Sequence, residues 1–372
     1  LNGNTSPWNY LDVTEADFFL NHRYESLLDV HHFLNDVVAF GWVPGLNIVV
    51  AKEGQIVYQG SYGKVGVGET FKKPNSIKTV YDLASLTKVI ATWPALMKLI
   101  ADGEIRLDAC VNDYLSETTH NEVGQVTIKQ LVTHTAGLQA ETYLKQYGTK
   151  TSAILAGILN DSLQYRPGKK VVYSNRGFII LAIIIERVSG MRIDHFVKEN
   201  IWSQLDMNST FFRPLEHVPL NTIAPTEYLK EANAYRHGEV HDENALLLKE
   251  ITGHADAFST INDLAKFSAM VMATGEYQGK RVLDDTLVSR SLQIQTGKRA
   301  NPRGYAWDYF NHPGFPHPSI GHLGFTGTSM LINPHLNAFV ILLTNRIHPS
   351  RSNTHIRSIR DYVHHKVWQG LV

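Results

Sequence analysis

Tyr81-Asp82-Leu83-Ala84-Ser85-Leu86-Thr87-Lys88 runs directly into the apolar Val89-Ile90-Ala91-Thr92-Trp93. Asp82 can cap a helix whose first turn holds Ser85, and the spacing sets Lys88 on the same helical face. A serine so placed lies in the positive field of a helix N-terminus. A lysine neutralised by burial can accept its hydroxyl proton, so Ser85 reads as a nucleophile and Lys88 as its base. Ser61-Tyr62-Gly63-Lys64 repeats the spacing among glycines beside a hairpin, so spacing alone decides nothing. Helix context singles out Ser85.

Two further segments carry chemistry. Tyr165-Arg166-Pro167-Gly168 and Val171-Val172-Tyr173-Ser174-Asn175-Arg176-Gly177-Phe178 lead into an apolar helix ending at Ser189-Gly190. At that loop-to-helix junction Tyr173 and Asn175 can face one cleft, the phenol to shuttle protons and the amide to hold a substrate carbonyl. Tyr309-Phe310-Asn311 has the same pattern in a proline-flanked loop with no helix after it, and is the poorer choice. The second segment is Ile320-Gly321-His322-Leu323-Gly324-Phe325-Thr326-Gly327-Thr328. Gly324 permits a substrate backbone to approach a sheet edge, where the next N–H can form half of an oxyanion hole. A glycine-rich bulge with a structural histidine is the competing reading.

Outward from these motifs the chain falls into ends and a middle. Apolar positions at Leu27, Leu28, Val30, Phe33, Leu34, Val37 and Val38 predict an amphipathic helix over 23–41. Leu46 to Ala51 and Ile56-Val57-Tyr58 predict a hairpin about Lys52-Glu53-Gly54-Gln55. Near the C-terminus, Ser329 to Ile332, a turn at Asn333 to Asn337, the strand Ala338 to Leu343 and a helix from His355 to Trp368 repeat this grammar in reverse. Strands and a helix at both ends of a helix-rich middle predict one sheet assembled from the two termini.

The composition excludes several classes. With 372 residues and 43% hydrophobic content, the chain can build a large core without staples. Lys plus Arg and Asp plus Glu both number 35, which leaves no electrostatic footprint for nucleic acid. Cys110, the single cysteine, has no partner for an internal disulfide and reads as a core residue. The apolar run Phe178 to Ile185 is too short to span a bilayer.

In order and spacing, Ser85-x-x-Lys88, Tyr173-x-Asn175 and His322-x-Gly324 resemble the three motifs of the serine β-lactamase and penicillin-binding-protein superfamily. The similar branch contains class C β-lactamases, DD-peptidases, D-aminopeptidases and esterases. The likeness covers residues 30–365, including Gly103-Glu104-Ile105-Arg106-Leu107-Asp108 and Leu131-Val132-Thr133-His134-Thr135-Ala136-Gly137-Leu138. It implies an α+β fold, with an antiparallel sheet domain (24–84 and 255–372) flanked by helices and a mainly helical inserted domain (85–254). The active site would lie in the cleft between them. It also implies that Ser85 becomes acylated, that Lys88 and Tyr173 move its proton, and that the N–H groups of Ser85 and Phe325 hold the oxyanion. Asn175, His322 and Gly324 would border a small-molecule or peptide substrate. His134 would pack rather than react. No cofactor and no metal are implied, and members of the branch commonly work outside the cytoplasmic membrane.

The sequence departs from this pattern at His322-Leu323, where many relatives have lysine and a hydroxyl residue that bind a substrate carboxylate. Histidine is only partly charged near neutrality and leucine offers no hydrogen bond. The expected activity is therefore a serine peptidase or amidase acting on cell-wall-derived peptides, with a β-lactamase, a carboxylesterase or a non-hydrolytic penicillin-binding sensor as alternatives. Gly238-Glu239-Val240-His241-Asp242-Glu243-Asn244-Ala245 and Gly253-His254-Ala255-Asp256-Ala257-Phe258-Ser259-Thr260 resemble a subset that includes muropeptide hydrolases. His241, Asp242 and His254 are ligand types, but a zinc site needs three or four converging ligands, so a hydrogen-bonded support for the cleft wall is expected instead.

Overall fold

The run Leu46-Asn47-Ile48-Val49-Val50-Ala51 lacks polar alternation because its strand is covered on both faces. The computed structural model describes residues 6–140, 143–249 and 251–372. Strand β1 is Phe18–Leu20, β2 is Gly45–Lys52 and β3 is Gln55–Gly63, followed late in the chain by β4 (Asp308–Phe310), β5 (Ser319–Leu323), β6 (Ser329–Asn333) and β7 (Ala338–Thr344). They form one antiparallel sheet in the order β1-β3-β2-β7-β6-β5-β4. The two ends of the chain meet where β2 pairs with β7, Leu46 opposite Thr344 and Lys52 opposite Ala338.

The hairpin between β2 and β3 turns on Glu53 (φ 52°) and Gly54 (φ 80°), the positive-φ pair that matches strand twist. A side chain at 54 would meet the Pro7 carbonyl oxygen at 2.0 Å. The return strand extends to Gly63, further than the predicted Ile56-Val57-Tyr58, so Ser61 is a strand residue and its Ser-x-x-Lys spacing has no helix behind it. Tyr309 likewise lies in the edge strand β4 rather than in a loop.

Leu46, Ile48, Val50, Val340 and Leu342 pack on one face against helix α1 (Leu28–Ala39) and the C-terminal helix, Ile356–Gly370. The predicted helix at 23–41 thus begins late, after a 3-10 segment at His22–Leu27. The opposite residues Val49, Ala51, Phe339 and Ile341 belong to the larger core. That core runs on through α2 (Trp93–Ala101), α3 (Asn175–Ser189) and α4 (Ile261–Met272), with the C-terminal helix as α5. Helix α3 ends where Gly190 takes the left-handed conformation, φ 68°. Phe178 and its apolar neighbours to Ile185 are thus interior packing, and no helix among the described residues is long and apolar enough to cross a membrane. Cys110 is half-buried rather than in the core, its Sγ 3.6 Å from the Gln125 carbonyl oxygen.

A buried amide network ties the sheet to the Ser85 segment. Asn75 Nδ2 donates to Asn47 Oδ1 (2.7 Å) and Leu46 O (3.0 Å), and Tyr81 Oη donates to Asn75 Oδ1 (2.9 Å). Because every member is buried, losing one leaves polar atoms unpaired, at a cost of about 1–3 kcal/mol each.

Candidate active site

Tyr81 and Asp82 pair antiparallel with Ser259 and Phe258, then the chain turns sharply. Ala84 sits in the left-handed region (φ 47°), costing roughly 1–2 kcal/mol in an L-residue. Asp82 supports that turn: its Oδ1 accepts from Ala84 N (2.8 Å) and its Oδ2 from His241 N (2.7 Å). Ser85 therefore lies in a 3-10 turn, Ala84–Leu86, not in the first turn of a regular α-helix as the sequence suggests. Lys88–Thr92 forms a π-helical turn before α2 begins.

Pro94 has no N–H to give the Ile90 carbonyl, which accepts from Trp202 Nε1 instead (2.9 Å), and the segment 252–257 runs along the same irregular stretch. Thr92 Oγ1 donates to Gly253 O (2.6 Å), Lys88 Nζ to His254 O (2.7 Å) and Ala257 N to Thr87 Oγ1 (3.0 Å). Single π-turns are frequent at functional sites.

Ser85 Oγ is held between two proton-bearing groups. Lys88 Nζ lies 2.9 Å away and Tyr173 Oη 2.8 Å away. Lys88 is fully buried, and burial pushes its pKa down to about 7, against the opposing pull of Asp242 and Asp256. Burial raises the Tyr173 phenol well above its ordinary range, so it keeps its proton at neutral pH. The Tyr173 ring is set by His134, 4.6 Å away, whose Nδ1 accepts from Ser174 N at 3.2 Å.

His322 closes the same cleft. Its Nδ1 lies 2.9 Å from the Leu323 carbonyl oxygen, which can only accept, so the proton sits on Nδ1. Burial, then the nearby Lys88 and Arg303, push its pKa well below 6.5. The imidazole is therefore neutral, and its buried Nε2 is an acceptor with no protein partner. Strand β4 pairs with β5 only over Ser319 to Gly321, leaving the backbone edge at His322 and Leu323 uncovered by that strand.

The cleft of about 350 Å³ is lined by Ser85, Tyr173, His322, Leu323 and Phe325 among others. Asn175 is not among its lining residues: it begins α3, with its Oδ1 buried and unpartnered. Gly324 is required for a reason the sequence did not reveal. A Cβ there would meet Thr328 Oγ1 at 2.0 Å and Leu83 O at 2.6 Å, so the close approach is to the protein's own chain. Among the described residues, neither the Ser85 nor the Phe325 N–H donates to another protein group.

Arg303, Arg346 and Arg360 also line the cleft, and no motif announced them. Arg303 pairs with Asp308 at 2.9 Å. Arg346 Nε donates to Phe325 O (2.9 Å), and Arg360 Nη2 to Gly324 O (2.7 Å) and Thr328 O (2.6 Å). They hold the 324–328 loop in place. His241 and Asp242 part company: His241 stacks on Phe325 (5.7 Å between ring centroids) and meets Glu227 at 3.1 Å, whereas Asp242 faces His254. Among the described residues, no group of three or more His, Cys, Asp or Glu is placed to hold a metal ion.

Residues 32–364 match the Beta-lactamase family. The chain belongs to that family. It is a serine hydrolase of amide or ester bonds with the β-lactamase and penicillin-binding-protein fold. The chain is 28% identical over 367 residues to a "Putative D-alanyl-D-alanine carboxypeptidase" of Escherichia coli O157:H7 (87% of this chain, 83% of that protein) and 27% identical over 364 residues to the "N-acetylmuramyl-L-alanine amidase" of Bacillus subtilis (strain 168) (87% of this chain, 82% of that protein). The octameric penicillin-binding protein homologue from Pyrococcus abyssi superposes with a TM-score of 0.72 at 22% identity, covering 92% of this chain and 79% of its own. EstCE1, described as a hydrolase with promiscuous acyltransferase activity, gives 0.73 at 17% identity over 94% of this chain and 99% of its own.

Proposed function

We propose that Ser85 is the nucleophile of this hydrolase and that it acts on amide bonds of cell-wall-derived peptides. The observation that carries the reading is the Ser85 hydroxyl held 2.9 Å from a buried lysine amine and 2.8 Å from a phenol. The free-base amine of Lys88 takes the Ser85 proton as Oγ bonds to the substrate carbonyl carbon. The oxyanion that forms is met by the N–H groups of Ser85 and Phe325, which have no competing protein acceptor. Tyr173 keeps its own proton and, with the lysine, returns one to the leaving nitrogen or oxygen as the carbonyl–heteroatom bond breaks. Water then adds to the acyl-enzyme, giving up a proton to Lys88, and Ser85 recovers one as the acid departs. The reacting cleft lies between the sheet unit (24–84 and 255–372) and the helical insert (85–254) in this reading. The amidase name of the Bacillus subtilis relative supports an amide of the cell wall as substrate.

This assignment fixes a pH dependence. With Lys88 near 7, its reactive free base is the minor form below that pH and the major form above it. kcat/KM should therefore rise through neutrality on one ionisation. A profile flat from acid to neutral pH would show that another base acts.

The cleft is also poorly equipped for a carboxylate beside His322. The imidazole is neutral, Leu323 offers no side-chain hydrogen bond, Arg346 and Arg360 donate to loop carbonyls and Arg303 pairs with Asp308, which leaves Arg303 Nε and Arg360 Nε as buried donors without a protein acceptor. A missing charge-assisted contact forfeits about 1.5–3 kcal/mol, or roughly one to two decades in kcat/KM. Cephalosporins should be poor substrates, and His322→Lys combined with Leu323→Thr should narrow the gap to the best amide. A native kcat/KM for a cephalosporin near the diffusional range would mean that the carboxylate is held elsewhere.

The deciding experiment offers muropeptides, D-amino-acid amides, short-chain esters and a chromogenic cephalosporin to the purified chain, with Ser85→Ala as the blank. Turnover of muropeptide amides above the rest is expected. Preference for esters would overturn the substrate class, and acylation without release would overturn hydrolysis.

A further inference from the structure

The π-helical turn that carries Lys88 is held by a side-chain pair, one member fully buried and the other half-buried, that no step above uses. His254 is fully buried, its Nδ1 2.7 Å from Thr252 Oγ1 and its Nε2 3.2 Å from Asp242 Oδ1. A carboxylate only accepts, so the Nε2–H donates to it. The same Asp242 oxygen accepts from Ala245 N at 2.9 Å, which anchors the carboxylate to its own short helix. Both ring nitrogens of His254 are thus fixed, and its carbonyl is the group that receives Lys88 Nζ at 2.7 Å.

A neutral lysine amine has two N–H bonds and one lone pair. If one N–H is committed to the His254 carbonyl, rotation about the last stem bond is stopped and the lone pair can be aimed at Ser85 Oγ, 2.9 Å away. With that anchor only two orientations remain, lone pair or second N–H toward Ser85; without it the amine turns freely and the lone pair faces Ser85 less of the time. We propose that Asp242 and His254 form a positioning pair: the carboxylate fixes the His254 ring, and the His254 carbonyl turns the Lys88 amine toward Ser85. The inference rests on Lys88 being the base of Ser85.

The pair also has an electrostatic consequence. Around Lys88 stand Asp242 and Asp256 from the wall segments, Arg303 from the loop before β4, Tyr173 and His134 beside α3, and His322 on β5. Burial raises the Asp256 carboxyl above the carboxylate range; it lowers both histidines well below 6.5 and raises the Tyr173 phenol, so the two imidazoles and the phenol are neutral near pH 7. Burial alone would raise Asp242 as well, but its contacts with His254 hold it well below the usual range. Asp242, and after it Asp256, pull Lys88 toward the ammonium, and Arg303 acts with the opposite sign. Asp242 favours the ammonium, so removing its charge moves the acid limb of the rate profile to lower pH.

The test is the pH dependence of kcat/KM, and of Ser85 labelling by a fluorophosphonate, in the full-length protein. Asp242→Asn keeps an acceptor for the His254 ring but loses the charge, so its acid limb should fall by at least about half a pH unit. Asp242→Ala loses both and should show the same shift together with a plateau lowered about tenfold or more, the scale for a misplaced proton-transfer group. His254→Ala should lose a similar factor, and His254→Gln, whose amide N–H can reach the carboxylate, should recover most of it. A limb left in place by Asp242→Asn, a full plateau in Asp242→Ala, or equal losses in His254→Ala and His254→Gln would overturn the positioning role. Thermal unfolding of each variant separates these outcomes from loss of the folded state. Ser85→Ala and Lys88→Met run alongside: labelling that survives in them sinks the catalytic assignment itself, whereas their failure with a native limb in Asp242→Asn sinks only the pair.

Discussion

Ser85→Ala is expected to abolish covalent labelling by serine-directed acylating reagents and to remove about six decades of kcat, the scale seen when an enzyme loses its nucleophile. Ser85 combines a tight turn after Ala84, a lysine amine at 2.9 Å and a phenol at 2.8 Å. Ser61, which shares the Ser-x-x-Lys spacing, lies in β3 with its Oγ buried and without a hydrogen-bond partner. No base stands ready for it, and a reagent has no route to a buried strand residue. The substitution removes one oxygen from a half-buried position, so the fold should persist, and an unchanged unfolding temperature verifies that. Full labelling in the variant, or a labelled peptide that maps to Ser61, would overturn the assignment.

What could be read in advance was local. The hairpin at Glu53-Gly54 needs two residues of positive φ, and Ser-x-x-Lys and Tyr-x-Asn each lie within one turn of chain, so short-range rules reached them. That the two ends of the chain share one sheet was legible from the strands and helix each offers; that β2 is the strand that pairs with β7 was not. Nor were the arginines. Arg303 sat in a stretch that reads only as a loop, and Arg360 is one charged residue on a helix rich in them. Their place at the cleft depends on which loop carbonyls tertiary closure brings within reach, and sequence spacing holds no record of that. Gly324 shows the same limit in another form. Its glycine was legible, but an atom it makes room for, Leu83 O, comes from the turn after Asp82, far away in the chain. The π-turn at Lys88–Thr92 escaped too: Pro94, which has no N–H for the Ile90 carbonyl, was in plain view, but the crossing segment at 252–257 that bonds the same stretch was not.

Lys88→Met and Tyr173→Phe should each lower kcat/KM by at least about 10², the usual scale for losing a positioned proton-transfer group. Methionine keeps the buried stem volume, so the loss reports the amine rather than a cavity. Phenylalanine likewise keeps the ring that His134 packs against at 4.6 Å. The two losses should differ in their pH dependence. Lys88→Met removes the ionisation near pH 7, leaving a flatter profile, whereas Tyr173→Phe keeps that limb because the phenol stays protonated there. In the double variant the combined loss should fall well short of the product of the single losses. Both groups meet the same oxygen, Ser85 Oγ, and once either is gone the relay between hydroxyl and leaving group is broken, so removing the second takes away little more. Full additivity would mean that the lysine and the tyrosine serve separate steps, one activating Ser85 and the other protonating the leaving group, and single-turnover acylation rates would then show the Tyr173→Phe defect only with leaving groups that need a proton.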